Sequence, residues 1–161
     1  VGMTIINSLR EALRTISDSN NPFFIMAEQT HNDGGGHGNN MATVITATTN
    51  YNEEIAYAIQ FTLCHPKTVL IVTADHETGG IALGHRYNVN WKAFEDSWNE
   101  NNQSNNLDAA ANKELNEKGL IGWTTGDHTG GAVPVYAIGK GAEKFSGRID
   151  NTDIKGKILG K

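Results

Sequence analysis

Six histidines punctuate the chain, at His31, His37, His65, His76, His85 and His128, and three of them lie beside aspartates in polar, glycine-rich segments. Asp33 and His37 stand four apart in a stretch that also holds Gly34, Gly35, Gly36 and Gly38. Asp75 and His76 are adjacent, and Asp127 precedes His128 at the head of the turn His128-Thr129-Gly130-Gly131. Carboxylates and neutral imidazoles are the ligands of catalytic zinc sites, at roughly 2.0 to 2.2 Å from the metal. Neighbouring glycines let the backbone bend until such side chains converge. A single Asp-His pair after a strand is commonly a surface turn, but three pairs at one end of a sheet are harder to explain that way. Glu28, five residues before Asp33, is open to two readings: a half-buried carboxylate capping the next turn, or an oxygen ligand for a hard cation such as magnesium.

The elements that must position these residues follow from apolar spacing. Ile5, Ile6, Leu9, Leu13 and Ile16 share one face and predict a helix from Met3 to Ile16. After a polar break from Ser17 to Pro22, the continuous run Phe23-Phe24-Ile25-Met26-Ala27 predicts a strand buried on both faces, with residues 28–40 as a loop at its carboxyl end. Ile55, Ile59 and Leu63 predict a helix from about Tyr51 to Cys64, stopped by His65-Pro66. Thr68 to Ala74 predicts a second buried strand, ended by Asp75-His76-Glu77-Thr78-Gly79-Gly80, and Val133 to Ile138 a third. Lys140 to Asp153 predicts a turn with a short strand pair, and Asp153 to Lys161 a helix. Between Trp91 and Leu120 the chain turns to Asn, Glu and Lys with scattered apolar anchors, which predicts an insertion of two short helices. Helix, strand and polar loop alternate as in an α/β domain, where ligands sit outside the carboxyl ends of the strands.

Composition narrows the function classes. With 161 residues there is room for one domain, and 38% hydrophobic against 19% charged residues excludes both a disordered chain and a membrane span. The net charge of −5, without a basic stripe, argues against a nucleic-acid partner. Cys64 is the sole cysteine, so no internal disulfide can form. The start lacks the layout of a signal peptide, and because it is Val1 and not Met, a processed form or fragment is expected.

Three strings taken together carry a resemblance. Glu28, Asp33 and His37 follow one apolar run, Val72-Thr73-Ala74-Asp75-His76-Glu77-Thr78-Gly79-Gly80 ends another, and His128-Thr129-Gly130 precedes Val133-Pro134-Val135-Tyr136-Ala137. In order and spacing, from about Met3 to Ile154, this resembles the carboxyl-terminal half of the alkaline phosphatases. The resemblance implies a three-layer α/β/α fold, with a partial central sheet, flanking helices and a helical insertion. It makes residues 1–161 the carboxyl-terminal segment of one such domain, with the insertion at about 91–120. It also implies that Asp33, His37 and His128 hold a first zinc, that Asp75 and His76 belong to a second, and that Glu28 belongs to a magnesium. In that family a pair of zinc ions of order 4 Å apart holds the phosphoryl group of a phosphate monoester. A periplasmic or extracellular location, and assembly as a homodimer, are expected from the resemblance alone.

Departures from the family pattern shape the expectation. The loop Glu28-Gln29-Thr30-His31-Asn32-Asp33 is polar where the family carries glycines and an apolar residue. His31 is an extra histidine, read as solvent-exposed or as a partner to a ligand, and His65 is read as a helix-end residue favouring the dipole. No catalytic residue is visible. The family nucleophile is a serine in an Asp-Ser-Ala context, and the sole Asp-Ser here, Asp96-Ser97, is followed by Trp98 in a helical pattern and reads as accidental. The nucleophile is therefore expected upstream, in a missing amino-terminal half, and the isolated chain is expected to be inactive. Two other readings stand beside this one. The first is another branch of the superfamily, such as a phosphodiesterase, phosphonate hydrolase or phosphomutase, and the second is a non-catalytic metal-binding module.

Overall fold

The computed structural model describes residues 5–17, 21–83, 112 and 121–160. The predicted insertion at 91–120, apart from Asn112, lies outside the described residues. Two compact units divide the chain: residues 1–27, 51–75 and 132–161 form one, and residues 28–50 and 76–131 form the other.

In the first unit, helix α1 spans Ile5–Ser17 and buries Leu13, close to the predicted helix. Strand β1, Val69–Val72, pairs antiparallel with β6, Tyr136–Gly139, in the register Val69↔Gly139 to Val72↔Tyr136. Gly139 has φ +101, and a side chain there would run into the Thr68 carbonyl and the Thr62 methyl, so only glycine lets the strand end so close to its neighbour. A single 3-10 turn, Ala142–Phe145, buries Phe145 where a strand pair is predicted, and helix α4 follows over Asp153–Ile158. The run from Phe23 to Ala27 forms no strand, and Phe24 and Met26 are 73% and 79% exposed. A strand exists only through its ladder of hydrogen bonds, and among the described residues no segment pairs with this one.

Helix α3, Met41–Cys64, starts ten residues before the predicted position. Its opening turns are rich in Thr, Val and Ile, which are poor helix formers. Capping offsets part of that: the Asn40 side chain accepts from Thr43 N at 3.2 Å as an N-cap. The Thr46 and Thr48 hydroxyls donate to the carbonyls of Ala42 and Val44 at 2.8 and 2.7 Å, which gives these polar groups partners inside the helix. Asn112 adds to the cap, accepting from Met41 N and donating to Asn39 O.

The second unit holds the short elements. Helix α2 spans His31–His37, strand β2 is Glu77–Thr78, β3 is Ala82–Leu83, β4 is Ile121–Gly122 and β5 is His128–Thr129. Strand β2 pairs antiparallel with β5, and β3 with β4. All strand pairs among the described residues are thus antiparallel and two-stranded.

Glu54, on α3, is buried to 2% exposure, its Oε2 has no hydrogen-bond partner among the described residues, and burial pushes its carboxyl above the usual range. The folded chain therefore holds this proton more tightly than the unfolded one. Glu54 favours folding at acid pH, and that contribution is lost as pH rises through the raised folded value. Glu54→Met should increase unfolding free energy in urea by about 1 to 3 kcal/mol at neutral pH, the scale of an unpaired buried polar group, with the gain shrinking in acid. A gain that is absent at neutral pH or grows on acidification would contradict this.

Candidate metal centre

Four of the predicted side chains meet within the second unit. Helix α2 forms where a loop is predicted, although Gly34, Gly35 and Gly36 each cost a helix about 1 kcal/mol relative to alanine. Close packing explains the preference. A Cβ on Gly36 would lie 2.8 Å from the Thr78 carbonyl oxygen, and one on Gly35 would lie 2.8 Å from a Val44 methyl, so the helix can rest on β2 only with Gly36 and against α3 only with Gly35. Helical geometry then puts Asp33 and His37, four apart, on one face.

His37 Nε2 lies 3.4 Å from Asp33 Oδ2, and His128 Nε2 lies 3.5 Å from Asp33 Oδ1. The three residues form a group whose ligand atoms all lie within 4.8 Å of one another. His37 Nδ1 donates to the Gly126 carbonyl at 2.6 Å, so Nδ1 carries a proton and Nε2 is the ring atom turned toward Asp33. Such outward bonding of the far nitrogen is how metal-ligating histidines are oriented. Each of the three side chains is between 39% and 50% exposed, which leaves one side of the group open to a small ligand.

Thr78 donates to Asp33 Oδ1 at 2.6 Å, and this hydrogen bond holds the Asp33 carboxyl below its usual range against the opposing effect of burial. When protonated, the imidazoles of His37, His128 and His76 lower it further. The residue is therefore an anion ready to bind a cation. Behind it, Thr129 donates to Glu77 across the β2–β5 pair, and Gly80 N donates to both Glu77 oxygens at 3.0 and 3.1 Å. The Thr129 bond chiefly lowers the Glu77 carboxyl. This brace fixes the pairing that sets His128 opposite Thr78.

The remaining predicted residues are placed differently. His76 stacks on His128 with ring centroids 3.5 Å apart, but is not a member of the three-residue group. Glu28 and Asp75 are exposed and also outside it. His31 bonds to Gln29 through both its backbone and its ring. His65 donates to the Phe61 carbonyl at 2.7 Å in the last turn of α3, in keeping with a helix-end role. Thr78 and Glu77 are the residues that sequence reasoning passed over, since both appear there only as letters in the string around Asp75 and His76. Among the described serines, Ser17 and Ser146 donate to carbonyls of their own helical turns.

The family model described as Alkaline phosphatase matches residues 4–159. This chain belongs to the alkaline phosphatase family. Alkaline phosphatase 3 of Bacillus subtilis (strain 168) is 28% identical over 192 residues, covering 92% of this chain and 42% of that protein. The cold-active alkaline phosphatase of a psychrophilic Shewanella species matches 98% of this chain and 50% of its own, at TM-score 0.79 and 26% identity. A variant alkaline phosphatase from TAB5, solved with magnesium bound in its M3 site, matches 97% of this chain and 40% of its own, at TM-score 0.73 and 32% identity. The chain has the alkaline phosphatase fold and spans half or less of the length of these relatives.

If the lone pairs of His37 and His128 are the nitrogen donors, their loss is felt and that of His31 is not. His37→Ala and His128→Ala should each weaken zinc uptake more than the roughly tenfold expected for losing a mere supporting partner, whereas His31→Ala leaves it unchanged. Competition against a chromophoric chelator reads this, and equal losses in all three variants would contradict it.

Proposed function

We propose that the chain supplies most of the metal ligands of a metal-dependent phosphate monoester hydrolase. One observation carries the reading: the Asp33 carboxylate faces Nε2 of both His37 and His128, with His37 locked in the ligand tautomer by Gly126. Two imidazoles and a carboxylate form a three-ligand set with a position left open, which suits a catalytic zinc. When bound there, zinc supplies Lewis-acid charge to a phosphoryl oxygen. Asp33, His37 and His128 would hold that first zinc, and the open side would admit the substrate.

A second zinc would be held by Asp75 and His76, and a magnesium by Glu28. Each set is short of the usual ligand count, so further donors would come from a complementary segment, which would also bring the nucleophilic serine. The relatives are at least twice as long as the match, which leaves room for such a segment. Large apolar side chains left exposed, among them Phe24, Met26, Leu63, Tyr136 and Leu159, offer it surface to cover. The family resemblance also suggests a periplasmic or extracellular setting.

Zinc titration of the 161-residue chain should find one tight site and a second weaker one, and p-nitrophenyl phosphate should not be turned over above a metal-only blank. Positioning of a nucleophile contributes of order 7 to 11 kcal/mol to such reactions, and the isolated chain lacks it. Turnover by the chain alone, abolished by Asp75→Asn, would show that the nucleophile is local and contradict this reading.

A further inference from the structure

We propose that Thr78 is a positioning residue that joins the Asp33 carboxylate to the His76 imidazole, so that one hydroxyl orients groups assigned to both zinc ions. The proposal rests on the metal reading above. Thr78 Oγ1 lies 2.6 Å from Asp33 Oδ1 and 3.2 Å from His76 Nδ1. A hydroxyl has one proton to give, and an ionised carboxylate can only accept. Thr78 therefore donates to Asp33, and its oxygen accepts from His76 Nδ1–H. The chain of donors runs from His76 through Thr78 to Asp33.

Two consequences follow for the site. His76 is held with its proton on Nδ1, which leaves the Nε2 lone pair as its only donor atom toward a metal. Asp33 is held by one oxygen, which fixes how the carboxylate plane meets His37 and His128. Thr78 itself has little freedom to move. Its backbone pairs with His128 across β2–β5, and Gly36 of α2 packs so closely that an added Cβ would meet Thr78 atoms at 2.8 to 2.9 Å. One residue thus touches Asp33 and His76 by hydrogen bonds and His128 through strand pairing.

Thr78→Val replaces the hydroxyl with a methyl of the same shape, and Thr78→Ser keeps the hydroxyl. Two readouts on the 161-residue chain test the proposal. Long-range proton–nitrogen NMR correlations of the metal-free chain, above roughly pH 8 where an unperturbed imidazole is neutral, report the His76 tautomer. It should be Nδ1–H in the wild type and in Thr78→Ser, and shift toward Nε2–H in Thr78→Val. Zinc competition should show affinity falling roughly tenfold to a hundredfold in Thr78→Val, and retained within about threefold in Thr78→Ser. A wild-type His76 protonated on Nε2, or a Thr78→Val chain matching wild type in zinc affinity, would overturn the link. A wild-type chain that takes up no zinc would instead defeat the metal reading, and the tautomer would still judge the Thr78 hydrogen bonds.

Discussion

One carboxylate, that of Asp33, faces a ring nitrogen of two histidines at once, and holding that cluster together is the constraint that organises the second unit. His37 Nε2 stands 3.4 Å from one Asp33 oxygen and His128 Nε2 stands 3.5 Å from the other. Protonating both rings would satisfy Asp33 but would set two cations with centroids 5.0 Å apart, with His76 stacked on one of them. Under the proposed function, one divalent ion would satisfy all three donors at once. The surrounding elements make sense as means of holding this arrangement in place. Gly36 lets α2 lie on β2 and Gly35 lets it approach Val44 of α3, and the Glu77–Thr129 brace keeps two strands paired that are each only two residues long.

Much of this is legible in the sequence, and the exceptions have physical causes. The three glycine-flanked Asp-His segments mark where side chains converge, and the alternation of apolar runs marks an α/β fold. The helix over His31–His37 is not legible, because three consecutive glycines argue against a helix and only the close approach of Thr78 and Val44 reveals why one forms. Nor is the early start of α3, where the Asn40 and Asn112 caps offset poor propensity. Phe23 to Ala27 has the composition of a buried strand but lacks a partner among the described residues, and pairing, unlike apolar character, cannot be read from one segment. Thr78 escapes notice because its role lies in which two side chains it touches.

The first unit is thinly packed. No large side chain among the described residues is fully buried, and several large apolar groups stand open to solvent. A chain that spans half or less of its relatives' length would leave such surface, because the atoms that cover it in a whole domain belong to other segments. Under the proposed function, metal affinity and catalysis would separate: donors gathered within one unit would hold an ion by themselves, whereas turnover would need a nucleophile positioned against it.

Anomalous diffraction at the zinc edge from zinc-soaked crystals of the chain tests the central claim most directly. The account predicts a peak at roughly 2.0 to 2.2 Å from an Asp33 oxygen and from Nε2 of both His37 and His128. Zinc bound at His31 or His65 instead, with Asp33 hydrogen-bonded to two protonated imidazoles, would contradict it.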